Sequence, residues 1–218
     1  MSKVCLIVGA GTCNGAAIAR RFSREGFAIG LVSRDEAKLA AIAASLREAG
    51  ARVASAAADA GRTEELRAAL ASLTAELGPA DALIYNAAGA TMTPLLELSP
   101  ERLVADVATS VAGALTAAQF VARAMKARGA GAILITGGGF SLEPMPALAS
   151  LGVGKAGARN LAFSLAKELE PAGIHVATVT ICGIVKPGTA FDPDRIADAF
   201  WTLHSQPKGA FEREIMIR

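Results

Sequence analysis

The chain has 218 residues, 52% of them hydrophobic and 19% charged, and carries a formal net charge of +2. That length holds one domain with a sizeable core, and a near-neutral balance with no basic face or tail argues against a nucleic-acid partner. Mean hydropathy is +0.40, so most elements are expected to be buried. The three cysteines, Cys5, Cys13 and Cys182, make no disulfide framework, which points to a reduced, cytoplasmic compartment. Met1-Ser2-Lys3 runs straight into an apolar stretch and leaves no room for a signal peptide.

Apolar strand-like runs alternate with helical ones along the whole chain. Residues 4–8 read as a strand buried on both faces, followed by the turn Gly9-Ala10-Gly11-Thr12-Cys13-Asn14-Gly15 and a small-residue helix. Residues 28–32 form a second strand and 35–48 a helix with acidic residues in its first turn. Residues 53–57 form a third strand, and Thr63 is expected to cap a helix through Leu77. Residues 82–85 are the fourth strand. Ser99-Pro100 then provides an N-cap with proline at the first helical position, opening a long helix to about Arg128. Its most membrane-like part, 104–125, carries Asp106, Gln119 and Arg123 and reads as buried in protein rather than in lipid. Strand five (132–136), a helix (152–170), strand six (176–181), a helix from Asp192 through Leu203 and a short strand (214–217) complete the chain. Gly26, Gly50, Gly78, Gly129 and Gly173 each fall just past a helix end, where a left-handed residue closes it.

Strands separated by helices imply parallel pairing, with helices covering both faces. The prediction is one doubly wound α/β domain with a parallel sheet of about seven strands. In such sheets ligands bind beyond the carboxyl ends of the strands, and the unusual residues collect there. Gly9, Gly11, Thr12, Asn14 and Gly15 follow strand one and open a helix, which makes an anion site suited to a pyrophosphate. Ser33 and Arg34 follow strand two, Asp59 strand three, Asn86 and Ala87 strand four, Gly137-Gly138-Gly139 strand five, and Gly183 and Val185 strand six. Arg34, with Ser33 as a donor, fits the 2′-phosphate of NADP(H) better than the ribose of NAD(H). The alternative is a solvated charge at a helix start. Asp59 fits either the adenine amino group or a turn cap.

Several motifs carry a resemblance. The turn Gly9…Cys13-Asn14-Gly15, the run Tyr85-Asn86-Ala87-Ala88-Gly89, the segment Leu151-Gly152-Val153-Gly154-Lys155 and the sequence Gly173-Ile174-His175-Val176 occur in that order. Over essentially its whole length the chain resembles the short-chain dehydrogenase/reductase family. The resemblance implies a Rossmann-like fold, a nicotinamide cofactor and reduction of carbonyls or oxidation of alcohols on a small-molecule substrate. It also implies pairing of the 100–128 and 152–170 helices in a homodimer or homotetramer. The family's tyrosine position is Leu151, its serine position Gly138, its asparagine position Ser110 and its lysine Lys155. Lys155 and Ser110 are therefore the catalytic candidates, with Lys155 also expected to hold the nicotinamide ribose. Leucine and glycine cannot transfer a proton or donate a side-chain hydrogen bond, so the family mechanism cannot run unaltered. Cys13 stands where the family has its middle glycine, and its side chain is expected to crowd the pyrophosphate. The lid after strand six is short, about 186–193.

Few other groups are available for acid–base work. Tyr85 reads as a buried ring with a satisfied hydroxyl or as a replacement acid, and Cys182 as a small buried thiol near the nicotinamide. His175 and His204 fall at the wrong edge of the sheet, and Ser141 and Glu143 read as loop residues. Lys155 could be the acid itself, a ribose ligand or a solvated helix lysine. Two classes stay open: an oxidoreductase without the usual proton relay, and a non-catalytic cofactor-binding module.

Overall fold

The computed structural model describes residues 2–218. Seven strands form one parallel sheet in the order β3-β2-β1-β4-β5-β6-β7. They are β1 (Val4–Val8), β2 (Ala28–Ser33), β3 (Val53–Ala57), β4 (Ala82–Tyr85), β5 (Gly131–Gly138), β6 (Ile174–Ile181) and β7 (Glu214–Ile217). The helices are α1 (Asn14–Arg24), α2 (Glu36–Glu48), α3 (Thr63–Leu77), α4 (Pro100–Val107), α5 (Gly113–Arg128), α6 (Ala149–Leu169) and α7 (Pro193–His204). The doubly wound sheet expected from the sequence is present. Its order reverses between β1 and β4, where a crevice opens at the strand ends.

Strand periodicity divides the core into two layers. Along β1, Val4, Leu6 and Val8 face Leu70 of α3, Val121 of α5 and Ala162 of α6, while Cys5 and Ile7 face Ile18 of α1, Leu39 of α2 and Phe200 of α7. Every β1 residue is buried, as continuous apolar strands require when helices cover both faces. Helix starts follow local chemistry: Asp35, Ser99 and Asp192 each accept a backbone N–H two or three residues on. Thr63 does not cap α3. Arg62 occupies that position, without a side-chain cap, and Thr63 is the first helical residue.

Two departures from the sequence reading matter for the site. β5 extends through Gly137 and Gly138 because β6 pairs with it from Gly131↔Ile174 to Gly138↔Ile181. A Cβ at Gly137 would stand 2.3 Å from the Thr180 Oγ1, so glycine lets the two strands stay in register. The second departure is that the long helix is not continuous. A π-helical turn, Ala108–Ala112, separates α4 from α5, and its extra residue turns the Thr109 carbonyl and Ser110 hydroxyl inward. The 29-residue stretch Pro100–Arg128 is long and apolar enough by composition to cross a bilayer; here α5 packs on α3, β4 and β5. Neither α4–α5 nor α6 is buried all round, since Val104, Leu115 and Val153 remain exposed.

Candidate functional site

A cavity of about 1000 Å³ lies at the carboxyl ends of β1, β4, β5 and β6. Its first wall is the glycine turn. Gly9 has φ +87°, and a Cβ there would stand 2.4 Å from the Ala87 nitrogen, so only glycine lets β1 end this close to β4. The Asn86 amide donates to the Gly9 carbonyl at 2.8 Å, and its oxygen accepts from the Thr136 hydroxyl at 2.9 Å. Asn86 thus ties together the ends of β1, β4 and β5 while lining the cavity. Gly9 and Ala87 stand behind the wall, whereas Gly11, Thr12, Asn14 and Gly15 line it. At Gly11 a Cβ would meet nothing within 4 Å, so the glycine leaves open space rather than relieving a clash.

The N-terminus of α1 faces this wall. Cys13 is the N-cap and provides no side-chain cap. Ala16 and Ala17 donate to Gly11 and Cys13, but the backbone N–H groups of Asn14 and Gly15 make no backbone hydrogen bond. The Asn14 side-chain oxygen is buried without a partner. Uncapped N–H groups at the positive end of a helix fit an anion, and the orphaned Asn14 oxygen beside them is an acceptor that calls for a donor such as a hydroxyl. Cys13 is exposed at the edge of the same wall.

The β2 and β3 ends lie beside this wall, outside the cavity lining. Arg34 is exposed and makes no hydrogen bond or ion pair among the described residues. The Ser33 hydroxyl accepts weakly from the Asp35 N–H at 3.4 Å. Asp59 accepts from the Gly61 N–H at 2.9 Å through one carboxylate oxygen, as a turn cap does.

At the other end, Gly138, Leu151 and Lys155 come together, with Cys182, Gly183 and Val185 opposite. The Lys155 stem lies over Gly138, where a Cβ would stand 3.3 Å from its Cγ. Its ammonium is buried and donates to the Thr136 carbonyl at 2.6 Å. Burial alone pulls its pKa down to about 8. The segment 186–193 is a short turn held by its own hydrogen bonds, Gly188 N–H to Asp192 and Thr189 hydroxyl to Lys186. Phe191 packs its ring against Gly183, where a Cβ would stand 2.2 Å away.

One catalytic candidate is displaced. Ser110 does not line the cavity; it is 2% exposed and accepts from the Gly89 N–H at 3.0 Å. Gly154 lets α6 close over it, since a Cβ there would stand 2.7 Å from the Ser110 Oγ. The π-turn and this close approach seal the hydroxyl into the packing between α6 and the β4 loop. Tyr85 is 1% exposed, donates its hydroxyl to the Thr109 carbonyl, and has its pKa pushed up by burial and secondarily by the charge of Asp59. His175 donates through Nε2 to the Glu212 carbonyl, 2.7 Å away, and stacks on Phe211. His204 packs among Phe22, Phe27 and Trp201, with burial pulling its pKa down to about 4. None of Tyr85, His175 and His204 lines the cavity.

The sequence reading missed the outer part of the cavity. Phe140, Leu142 and Met145 from the loop after β5, together with Ile184 and Arg218, complete it. Arg218 was findable by the rule that located the rest: β7 pairs with β6 as far as Ile181↔Ile217, so the next residue stands at the same sheet edge. Leu142, Met145 and Ile184 are 42%, 46% and 86% exposed, which makes the mouth apolar and open.

Residues 3–195 match the family model described as short chain dehydrogenase. An oxidoreductase of Sarocladium schorii, asL5, is 30% identical over 182 residues, 84% of this chain and 72% of its own length. The crystal structure of a short-chain dehydrogenase from Rhodopseudomonas palustris superposes with a TM-score of 0.89 at 32% identity, over 99% of this chain and 98% of the other. A metagenomic short-chain oxidoreductase in complex with NADP has a TM-score of 0.89 at 29% identity, over 99% and 96% of the two chains.

Proposed function

The chain belongs to the short-chain dehydrogenase family of oxidoreductases, and from that premise we propose that it binds NADP(H) in the cavity and uses it on a small carbonyl or alcohol. The observation that carries this reading is the continuity of the cavity. One wall is the uncapped α1 N-terminus with its orphaned Asn14 oxygen, and the other end holds Lys155. A dinucleotide needs an anion cradle and, a nucleotide's length away, a polar group for its second ribose; these residues fit both ends.

Gly11, Thr12, Asn14 and Gly15 take the pyrophosphate, with Gly9, Asn86 and Ala87 setting the wall behind them. Arg34 and Ser33 take the 2′-phosphate, because an unpaired guanidinium at the end of β2 has charge and donors to spare. Asp59 takes the adenine amino group with its free carboxylate oxygen. Lys155 holds the nicotinamide ribose, and Gly183 and Val185 wall that end. When bound, the reduced cofactor supplies a hydride. Leu142, Met145, Leu151 and Ile184 then give the substrate an apolar seat. The neighbour that binds NADP supports the cofactor preference by likeness. The exposed Val104, Leu115 and Val153 support assembly into a homodimer or homotetramer.

The alternative class, a non-catalytic cofactor-binding module, draws on Leu151 and Gly138, which bring no protic side chain to the cavity. Steady-state NADPH oxidation with diacetyl, ethyl acetoacetate and phenanthrenequinone decides between them. Turnover of any of these supports the oxidoreductase. NADPH binding with no turnover on any of them supports the module. No binding of NADPH or NADH removes both.

A further inference from the structure

A carbonyl reductase needs a proton donor, and the cavity offers few. Thr136 directs its hydroxyl proton to Asn86, and neither an asparagine amide nor a guanidinium is an acid at neutral pH. Glu143 and Cys13 are exposed at the periphery. Cys182 is half-buried and turns its thiol toward the Thr180 carbonyl. Lys155 differs from all of these. Its ammonium carries three protons and has one protein partner, the Thr136 carbonyl, and no carboxylate pairs with it among the described residues. Its stem rests on Gly138, and Leu151 precedes it by one helical turn, so apolar groups bound the space around it.

We propose that the Lys155 ammonium itself donates the proton to the substrate carbonyl oxygen, taking the part that the missing hydroxyls leave open. This rests on the oxidoreductase reading above and goes beyond holding the ribose. The step balances as follows. The carbonyl carbon receives a hydride, with its electron pair, from the reduced nicotinamide. As the C=O π bond opens, the oxygen takes one proton from Lys155 Nζ, giving an alcohol. Lys155 is left as a neutral amine and regains a proton from water through the open mouth of the cavity. In alcohol oxidation the neutral amine accepts the proton instead.

Burial supports this chemistry, because it brings the ammonium down to about 8, where it is still protonated at neutral pH yet gives up its proton readily. Of the charged groups on the elements packed around α6, Glu101 and Arg123 are exposed, and the more buried ones are engaged elsewhere. Asp106 bonds Thr91 and pairs with Arg102, Glu214 with Arg159, and Glu168 with Lys126. His175 bonds the Glu212 carbonyl at the far end of β6. Glu143, Arg218, Cys13 and Cys182 share the cavity and remain the titratable groups that face it.

The first arm of the test is independent of turnover. In protein carrying ¹⁵N-labelled lysine, the Nζ signal that disappears in Lys155→Arg should titrate near 8; a midpoint above about 10, the ordinary range, overturns the proposal. The second arm follows the reduction of diacetyl, ethyl acetoacetate and phenanthrenequinone at saturating NADPH. Lys155→Arg keeps a cation for the ribose but cannot give up a proton, so kcat should fall about 100-fold while NADPH affinity stays within about fivefold. Wild-type kcat should fall as pH rises through the Lys155 midpoint, and methylammonium should restore part of the activity of Lys155→Ala. Turnover retained in Lys155→Arg, or a wild-type profile flat through that midpoint, overturns the donor role and leaves the oxidoreductase reading standing. Wild-type protein that binds NADPH and reduces none of the probes overturns both.

Discussion

Replacing Lys155 by methionine should make the protein more stable at neutral pH. The lysine is a buried cation whose pKa is lowered from 10.5 to about 8 by desolvation alone. That difference corresponds to about 3 kcal/mol of destabilisation wherever the folded protein keeps the charge. The sign follows from proton counts. Between about 8 and 10.5 the unfolded chain binds more protons at this site than the folded one. Stability therefore rises with pH across that window, and the full cost is present below it. Lys155→Met removes the charge, keeps an unbranched stem over Gly138, and gives up the 2.6 Å bond to the Thr136 carbonyl. With that charged bond worth about 2 kcal/mol, the net gain is about 1 kcal/mol at pH 7. For a chain of this size the gain corresponds to a Tm increase of about 2–4 °C. Urea unfolding of both proteins at pH 7 and pH 10 measures it, and the gap should close as pH rises. A methionine variant less stable than wild type at pH 7, or a gap that does not change with pH, refutes the assignment of Lys155 as an uncompensated buried cation. A group that lowers stability in this way, at the strand ends of a cavity, is what a functional site retains.

Other perturbations separate framework from ligand contacts. Gly9→Ala should destabilise by more than about 2 kcal/mol in urea unfolding, because φ is +87° and the new Cβ would stand 2.4 Å from the Ala87 nitrogen. Gly11→Ala, with nothing within 4 Å, should keep wild-type stability and lose NADPH affinity instead; equal effects of the two alanines on stability would contradict the geometry. Arg159→Ala leaves the Glu214 carboxylate, 10% exposed, without its bidentate partner, at a cost of about 3 kcal/mol at pH 7. Arg159 holds Glu214 below 4.5, so the stabilisation is present above that pH and is lost as pH falls through the folded value. The deficit of the variant in unfolding experiments should shrink correspondingly in acid. Arg34→Glu should cut the preference for NADPH over NADH by about tenfold or more in fluorescence titrations, as one charge-assisted contact to a 2′-phosphate becomes repulsive. An unchanged preference removes Arg34 from the site.

Much of this was legible because a doubly wound sheet writes its layout locally. Each strand is a short apolar run and most ligand-facing residues follow one, so Gly11, Asn14, Asn86 and Gly183 were placed at the cavity by counting from strand ends, whereas Lys155, inside α6, came from the family resemblance. What failed depended on contacts between distant segments. The inward turn of Ser110 comes from a π-turn and from Gly154 of another helix, neither of which has a local signal. Strand β5 outran its expected end because glycines that look like breakers in sequence are what permits close pairing beside Thr180. The carboxyl-terminal Arg218 was overlooked because residues 214–217 were read only as a short final strand, without following the chain to that strand's carboxyl end at the crevice.

The most direct test of the account is calorimetric titration of the protein with NADPH and with NADH. Saturable binding of one NADPH per chain, weaker binding of NADH, and loss of NADPH affinity in Gly11→Ala are the predicted results. Titrations that show no heat with either dinucleotide, confirmed by unchanged NADPH fluorescence, would contradict it, for then the uncapped α1 N-terminus and the orphaned Asn14 oxygen would be serving no nicotinamide cofactor.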